Sequence, residues 1–179
     1  VYHFDDRAQR KTFYTLGDFR SLPTEGTARI AAGKSGFALF GGEGCANYSL
    51  RVRCSFPEGG SGAAGVVVNV RDPSVFKDQV AEGFFGYAVN VTRMGVTVLR
   101  EFYGASGATE FASVKAWKDA EYAEFTVRAE GNAIRVCRPG QETPVLNFQD
   151  ANGFVRGQYG FYGTGKGFEI YELTVEALP

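Results

Sequence analysis

An all-β, antiparallel β-sandwich is the fold class this sequence predicts, and three observations predict it. Apolar and polar residues alternate with period two in run after run, from one end of the chain to the other. The 179 residues include 16 Phe, 9 Tyr and 24 Gly, whereas glycine makes up only about 7% of an average domain. No segment carries a long apolar stripe at helical spacing. With 44% hydrophobic residues there is enough apolar material for a core, and the length and unbroken rhythm suit a single domain over 1–179.

The elements follow in chain order, each bounded by Gly, Pro, Asn or Asp. Short runs predict weak strands at Tyr2 to Asp5, Thr27 to Ala31 and Gly36 to Phe40. Clearer alternation predicts Tyr48 to Phe56, Ala64 to Arg71, Gly86 to Arg93, Val96 to Tyr103 and Tyr122 to Glu130. Ala133 to Arg138, Thr143 to Phe148, Gln158 to Tyr162 and Phe168 to Glu176 complete about twelve strands. Met94-Gly95 and Gly131-Asn132 leave two-residue gaps suited to tight hairpins, and Pro139-Gly140 marks a third, so most neighbours run antiparallel. Single helical turns have room only at Val75 to Ala81 and Val114 to Ala120.

Alternation also assigns faces. Leu50, Val52, Cys54 and Phe56 point inward against Ser49, Arg51, Arg53 and Ser55; Val66, Val68 and Val70 point inward against Val67, Asn69 and Arg71. Tyr87, Val89 and Val91 oppose Ala88, Asn90 and Thr92, while Val96 and Val98 oppose Thr97, Leu99 and Glu101. Phe125 and Val127 likewise oppose Glu124, Thr126 and Arg128. Two connections are too long for hairpins, Asp72 to Phe85 and Gly104 to Lys118, and long loops in compact domains are more often functional than short ones.

Composition removes several functions. The single histidine, His3, stands two residues from the start, so a His-based triad or a multi-His zinc centre would lack its main residue. A net charge of -1 without charge runs gives neither a nucleic-acid footprint nor a membrane-surface patch. No apolar stretch approaches the roughly 18 residues of a membrane-spanning helix. The chain opens on Val1 instead of Met, which reads as a mature segment or one excised from a larger protein. Cys45, Cys54 and Cys137 match no zinc or redox spacing. They read as unpaired core or loop residues, with a Cys45–Cys54 bridge as the alternative in an oxidising compartment.

From Ala64 onward the order of segments is distinctive. Gly65-Val-Val-Val-Asn-Val-Arg-Asp72 precedes a loop and Gly86-Tyr-Ala-Val-Asn-Val; a Gly-containing hairpin leads to Val96-Thr-Val-Leu-Arg100; Tyr122 to Val136 follows, then Val145-Leu, Asp150, Gly157-Gln-Tyr-Gly-Phe-Tyr and a closing strand from Phe168 to Val175. This order resembles the concanavalin A-like, or laminin G-like, jelly rolls attached to microbial glycan-degrading enzymes. Those include carbohydrate-binding module family 66 and domains related to glycoside hydrolase family 16. The resemblance covers roughly residues 48 to 176. It implies two curved antiparallel sheets and a non-catalytic module that binds glycan on the concave sheet or at its loop rim. A tethered catalytic domain, a monomeric module and an extracellular, cell-surface or periplasmic location are the corresponding expectations.

On that reading the outward residues Arg51, Arg53, Asn69, Arg71, Asn90, Thr92 and Glu101 form a platform, with Asp72 following Arg71 at the mouth of the first long connection. Amides, guanidinium groups and carboxylates each offer paired hydrogen bonds to hydroxyl-rich sugars. The excess of Arg also suits an acidic glycan. Tyr103, Trp117 and Tyr162 are candidates for stacking on a sugar ring. The plainer reading is a solvated sheet face crossed by charge pairs, with Trp117 as a loop anchor. Asp5, Asp6, Asp150 and Glu172 are the candidate ligands of a structural calcium, and their alternative role is to form turns. A structural or protein-contact sandwich is the first rival function. A glycoside hydrolase or lyase is the second, with Asp72, Glu82 and Glu101 as its carboxylates, although the Glu-x-Asp-x-x-Glu spacing of the family 16 enzymes does not occur.

Overall fold

The computed structural model describes residues 1–22, 24–55, 63–71, 85–92, 95–101, 109–114, 122–165 and 167–179; within these, the side chains of 10, 16, 63, 91–92, 95–101, 109–114, 122–123 and 164 are outside the description. The described residues form fourteen strands in two seven-stranded sheets, all neighbours antiparallel. Edge to edge, the first sheet holds β1 (Tyr14–Gly17), β4 (Ser35–Phe40), β13 (Gln158–Thr164), β6 (Ala63–Arg71), β7 (Phe85–Thr92), β8 (Gly95–Glu101) and β9 (Thr109–Val114). In the same sense the second holds β12 (Leu146–Gln149), β11 (Ala133–Cys137), β10 (Tyr122–Glu130), β5 (Tyr48–Ser55), β14 (Phe168–Ala177), β3 (Thr27–Ile30) and β2 (Phe19–Leu22). Among the described residues no helix is long and apolar enough to cross a membrane.

Strand alternation builds the core between the sheets. Leu50, Val52 and Cys54 of β5, Phe125 and Val127 of β10, and Leu173 of β14 meet Val66, Val68, Tyr87, Val89 and Phe161 from the first sheet, all fully buried. Burying each large apolar side chain contributes roughly 1.5–3 kcal/mol relative to leaving it exposed. A second buried cluster, Phe37, Leu39, Val67, Val70, Ala88 and Tyr162, lies on the other face of the first sheet. The hairpin expected at Gly131-Asn132 forms with Glu130 opposite Ala133, and Gly131 takes the positive φ of 56° that the tight turn demands.

Several elements depart from the sequence expectations, while the cysteines follow theirs. Tyr2 makes only an isolated bridge to Leu173, and the chain then forms a single helical turn, α1 (Arg7–Arg10), capped by Asp6. Strand β9 interrupts the connection expected from Gly104 to Lys118. The cysteines match the unpaired reading: none of the three is in a disulfide, so the alternative Cys45–Cys54 bridge does not form; Cys54 is buried on β5, and burial pushes its thiol far above the usual range. Finally, β6 is not a regular strand. Asn69 adopts a left-handed backbone with φ 52°, and the register slips there against both neighbours. One extra residue in a strand is a β-bulge, and it reverses the faces beyond it.

Candidate functional site

The bulge determines where the polar residues of β6 go. Val66 and Val68 point to the core as expected, but Asn69 is turned inward and only 1% exposed, and Val70 faces the opposite side in the second cluster. Arg71 then lies opposite Phe85, two residues along β7 from the core residue Tyr87 and on the same face. Arg71 therefore stands at the end of the sandwich and not on the outer sheet face.

A cleft of about 340 Å³ opens there, lined among the described residues by Glu43, Arg71, Phe85 and Phe154. That volume falls within the range of pockets that hold small molecules, roughly 300–1,000 Å³. Glu43 comes from the 41–47 connection, where Gly41 takes a φ of 70° and a Cβ on it would strike the Tyr159 ring at 2.8 Å. Arg71 and Glu43 are both exposed, and neither has an ion-pair or hydrogen-bond partner among the described residues. Phe85 and Phe154 meet edge to face with centroids 6.4 Å apart. The cleft thus offers a cationic fork, a carboxylate and an aromatic wall.

Phe154 is held at both main-chain polar groups. Its N–H donates to the Tyr87 hydroxyl at 3.0 Å, and that hydroxyl donates to Asp150 Oδ2 at 3.1 Å. Its carbonyl accepts from Asn69 Nδ2 at 2.8 Å. Asn69 in turn accepts from the Tyr48 hydroxyl at Oδ1, 3.0 Å, and donates its own N–H to that hydroxyl, 2.9 Å. Burial pushes the Tyr48 phenol far above the usual tyrosine range, only partly offset by the Asn69 N–H. Asp150 shapes the loop by accepting from Asn152 N–H at Oδ1 and from Gly153 N–H at its carbonyl, both at 3.1 Å. Gly153 is obligatory, since a Cβ there would lie 1.8 Å from the Tyr87 hydroxyl.

The platform expected from alternation does not assemble as one surface. Arg51 and Arg53 sit on β5 in the second sheet, whereas Asn69, Arg71, Asn90 and Glu101 belong to strands of the first. Alternation assigns a side chain to a face but not a strand to a sheet, which is why the two groups read as neighbours. Arg51 donates to Glu124 Oε1 through Nε at 3.0 Å and Nη2 at 2.6 Å, and this bond raises its pKa. Asn69 is a buried structural group. Asn90 lies half-buried on β7, five residues from Phe85 on the sheet face opposite the cleft, with Oδ1 buried and unpartnered. The backbone of Glu101 pairs with Gly86, next to Phe85. Asp72, Glu82, Tyr103 and Trp117 lie outside the described residues. Tyr162 is in the second buried cluster.

Three of the four acids proposed for calcium make other hydrogen bonds. Asp6 accepts from Ala8 N–H at 2.7 Å and Gln9 N–H at 3.3 Å as a helix cap, Asp150 holds the Tyr87 hydroxyl, and Glu172 accepts from Thr174 on β14. Among the described residues no three His, Cys, Asp or Glu side chains form a group able to hold a metal.

Glu43, Phe85 and Phe154 were not among the sequence candidates. The available signals were a lone carboxylate in the glycine-rich run Gly41-Gly-Glu-Gly44 and two aromatics beside glycine, Phe85 just before a predicted strand and Phe154 in the connection between two.

No family model and no curated protein matches this chain. Solved structures match it in shape. The carbohydrate binding module CBM66 from Bacillus subtilis superposes with a TM-score of 0.68 at 17% identity, covering 93% of this chain and 96% of that one. A Bacillus subtilis protein of unknown function with a galectin-like fold gives 0.73 at 12% identity over 98% and 94%. The VIP36 exoplasmic/lumenal domain, in its Ca2+/Man3GlcNAc-bound form, gives 0.68 at 13% over 97% and 86%. The fold is therefore the jelly-roll sandwich of the carbohydrate-binding and lectin domains.

Proposed function

We propose that this chain is a non-catalytic carbohydrate-binding module that takes a terminal sugar in the cleft between Glu43, Arg71, Phe85 and Phe154. The observation that carries the reading is a pair of opposite charges, without partners among the described residues, beside an aromatic wall. Arg71 donates to ring or hydroxyl oxygens in a fixed fork, Glu43 accepts from two hydroxyls, and the Phe edges meet the C–H face of the sugar. The two described charges of the lining balance, which suits a neutral sugar better than an acidic one. The CBM66 and VIP36 likenesses support glycan as the ligand class. A tethered glycan-active enzyme, retained on its substrate by a modest single-site affinity, and a location outside the cytoplasm complete the proposal. Asp72 and Glu101, which flank cleft residues in the chain or the register, extend it to further side chains.

A printed glycan array of neutral and acidic oligosaccharides, followed by calorimetric titration of the strongest hit, tests this. Wild-type protein is expected to bind, and Arg71→Ala to lose about 10–100-fold in affinity, as for a charged hydrogen bond of about 1.5–3 kcal/mol. No binding to any glycan, or binding indifferent to both Arg71→Ala and Glu43→Gln, would sink the assignment.

A further inference from the structure

We infer that Asn69 is the positioning residue of the cleft: its bulge turns Arg71 onto the cleft face, and its side chain fixes the Phe154 wall. The inference rests on the cleft being the binding site. The evidence for the first half is the register. Against β7, Val68 pairs with Tyr87 and Arg71 with Phe85, three steps of β6 for two of its neighbour. Against β13, Val67 pairs with Gly160 and Val70 with Gln158, again three for two. The same extra residue is therefore unmatched on both sides. Were β6 regular through Asn69, with no bulge, Arg71 would share the face of Val67, away from Phe85 and the cleft.

The second half follows from the chemistry of the side chain. Left-handed backbone favours Gly and Asn, but Gly has nothing to offer the loop. Asp would accept from Tyr48 and have no donor for the Phe154 carbonyl. Asn does both, and the one residue joins β5 of the second sheet, β6 of the first and the loop that carries Phe154. Asn69 is buried beneath the cleft and absent from its described lining, so it acts through Arg71 and Phe154.

Three variants of the whole chain test this: Asn69→Val, Asn69→Gly and Asn69→Asp. Each is titrated with the strongest array glycan and examined by nuclear magnetic resonance for the Phe85–Phe154 ring contact and for the face that Arg71 shares. Asn69→Gly keeps the bulge and Arg71 in place but frees the loop. It should weaken or lose the ring contact and reduce affinity up to about tenfold, the range of one neutral hydrogen bond. Asn69→Asp should match it. Asn69→Val, whose β-branched side chain is ill suited to a φ of 52°, should straighten β6 through position 69, move Arg71 to the Val67 face and reduce affinity as far as Arg71→Ala does. A merely structural role would lower stability in all three without this ordering. Wild-type ring contacts in Asn69→Gly and Asn69→Asp, or full affinity in Asn69→Val, would overturn the inference. If Asn69→Val does not fold, the other two substitutions decide. The resonance readouts need no ligand, so they judge the positioning role even if the array finds no glycan.

Discussion

Two arginines that look alike in the sequence meet different fates. Arg51 alternates with Leu50 and Val52 inside β5 and Arg71 closes β6, and the sequence assigns both to an outward position. Arg51 stays on the outer face of the second sheet, where its strand is flanked by β10 and β14, and its guanidinium is taken up by Glu124. Arg71 is carried by the Asn69 bulge to a cleft in which no described group neutralises it. The residue type is the same in both places. What separates a binding group from a surface charge is whether the surroundings have already satisfied it.

The sharpest test of that contrast is at Arg71 itself. Arg71→Lys keeps the charge but loses the planar fork, so it should recover only part of the affinity that Arg71→Ala loses. Titration of both variants against the same glycan checks the order, and full recovery by Lys would show that charge alone matters in the cleft.

A second perturbation acts on the loop. Gly153→Ala would drive a methyl group into the Tyr87 hydroxyl and against Asp150 Cβ and Cγ at 2.9 Å, a crowding that costs roughly 1–3 kcal/mol. Denaturant unfolding should show that loss together with weaker glycan binding. The outer face around Arg51 should be unchanged, because no described bond links the two regions through this loop. If stability is unchanged, the Tyr87–Asp150 contact is looser than the structure shows.

Alkaline pH separates the regions again. Tyr48 under the cleft and Tyr159 beside it are both held protonated, chiefly by burial and, for Tyr159, also by its hydrogen bond with the Tyr2 hydroxyl at 3.1 Å. Their pKa values are raised in the folded state, so the unfolded chain loses these protons first. Their contribution is fully present below the unfolded tyrosine value of about 10 and declines as pH rises beyond it. Thermal melts should fall steadily above that pH, with two phenols titrating only as the chain unfolds. Tyr48→Phe should flatten the decline, and an unchanged slope would place the alkaline sensitivity elsewhere.

How much of this was legible depended on position in the sheets. Central strands such as Tyr48–Ser55 and Tyr122–Glu130 read clearly because both neighbours and the core impose alternation on them. The strands that went unread, β1, β2 and β9, are all sheet edges. Pairing on one side only asks less of their sequence, and Tyr14-Thr-Leu-Gly or Thr109-Glu-Phe-Ala-Ser-Val carries little pattern. The cleft was half legible. Arg71 was a candidate, but in Val66-Val-Val-Asn-Val-Arg71 both parities are apolar, so no alternation betrays the slipped register. Asn69 was the one available sign, since Asn is depleted in strands and tolerant of the left-handed region.

The smallest expected effect closes the comparison. Arg51→Ala removes a side chain that is 61% exposed and whose partner Glu124 remains one-third exposed, so water can replace what the pair provided. Exposed pairs of this kind contribute little and are screened by salt. Glycan affinity should be unchanged and the melting temperature should move barely, and less at high salt than at low. The residual effect belongs to Glu124, which would then face Glu172 across Arg53, its register partner on β5. Arg53 still lies between the two carboxylates, so the strand keeps one cation for them to share. If Arg51→Ala instead weakened glycan binding as Arg71→Ala does, the second sheet would be a binding face and the distinction between a satisfied and an unsatisfied arginine would fail.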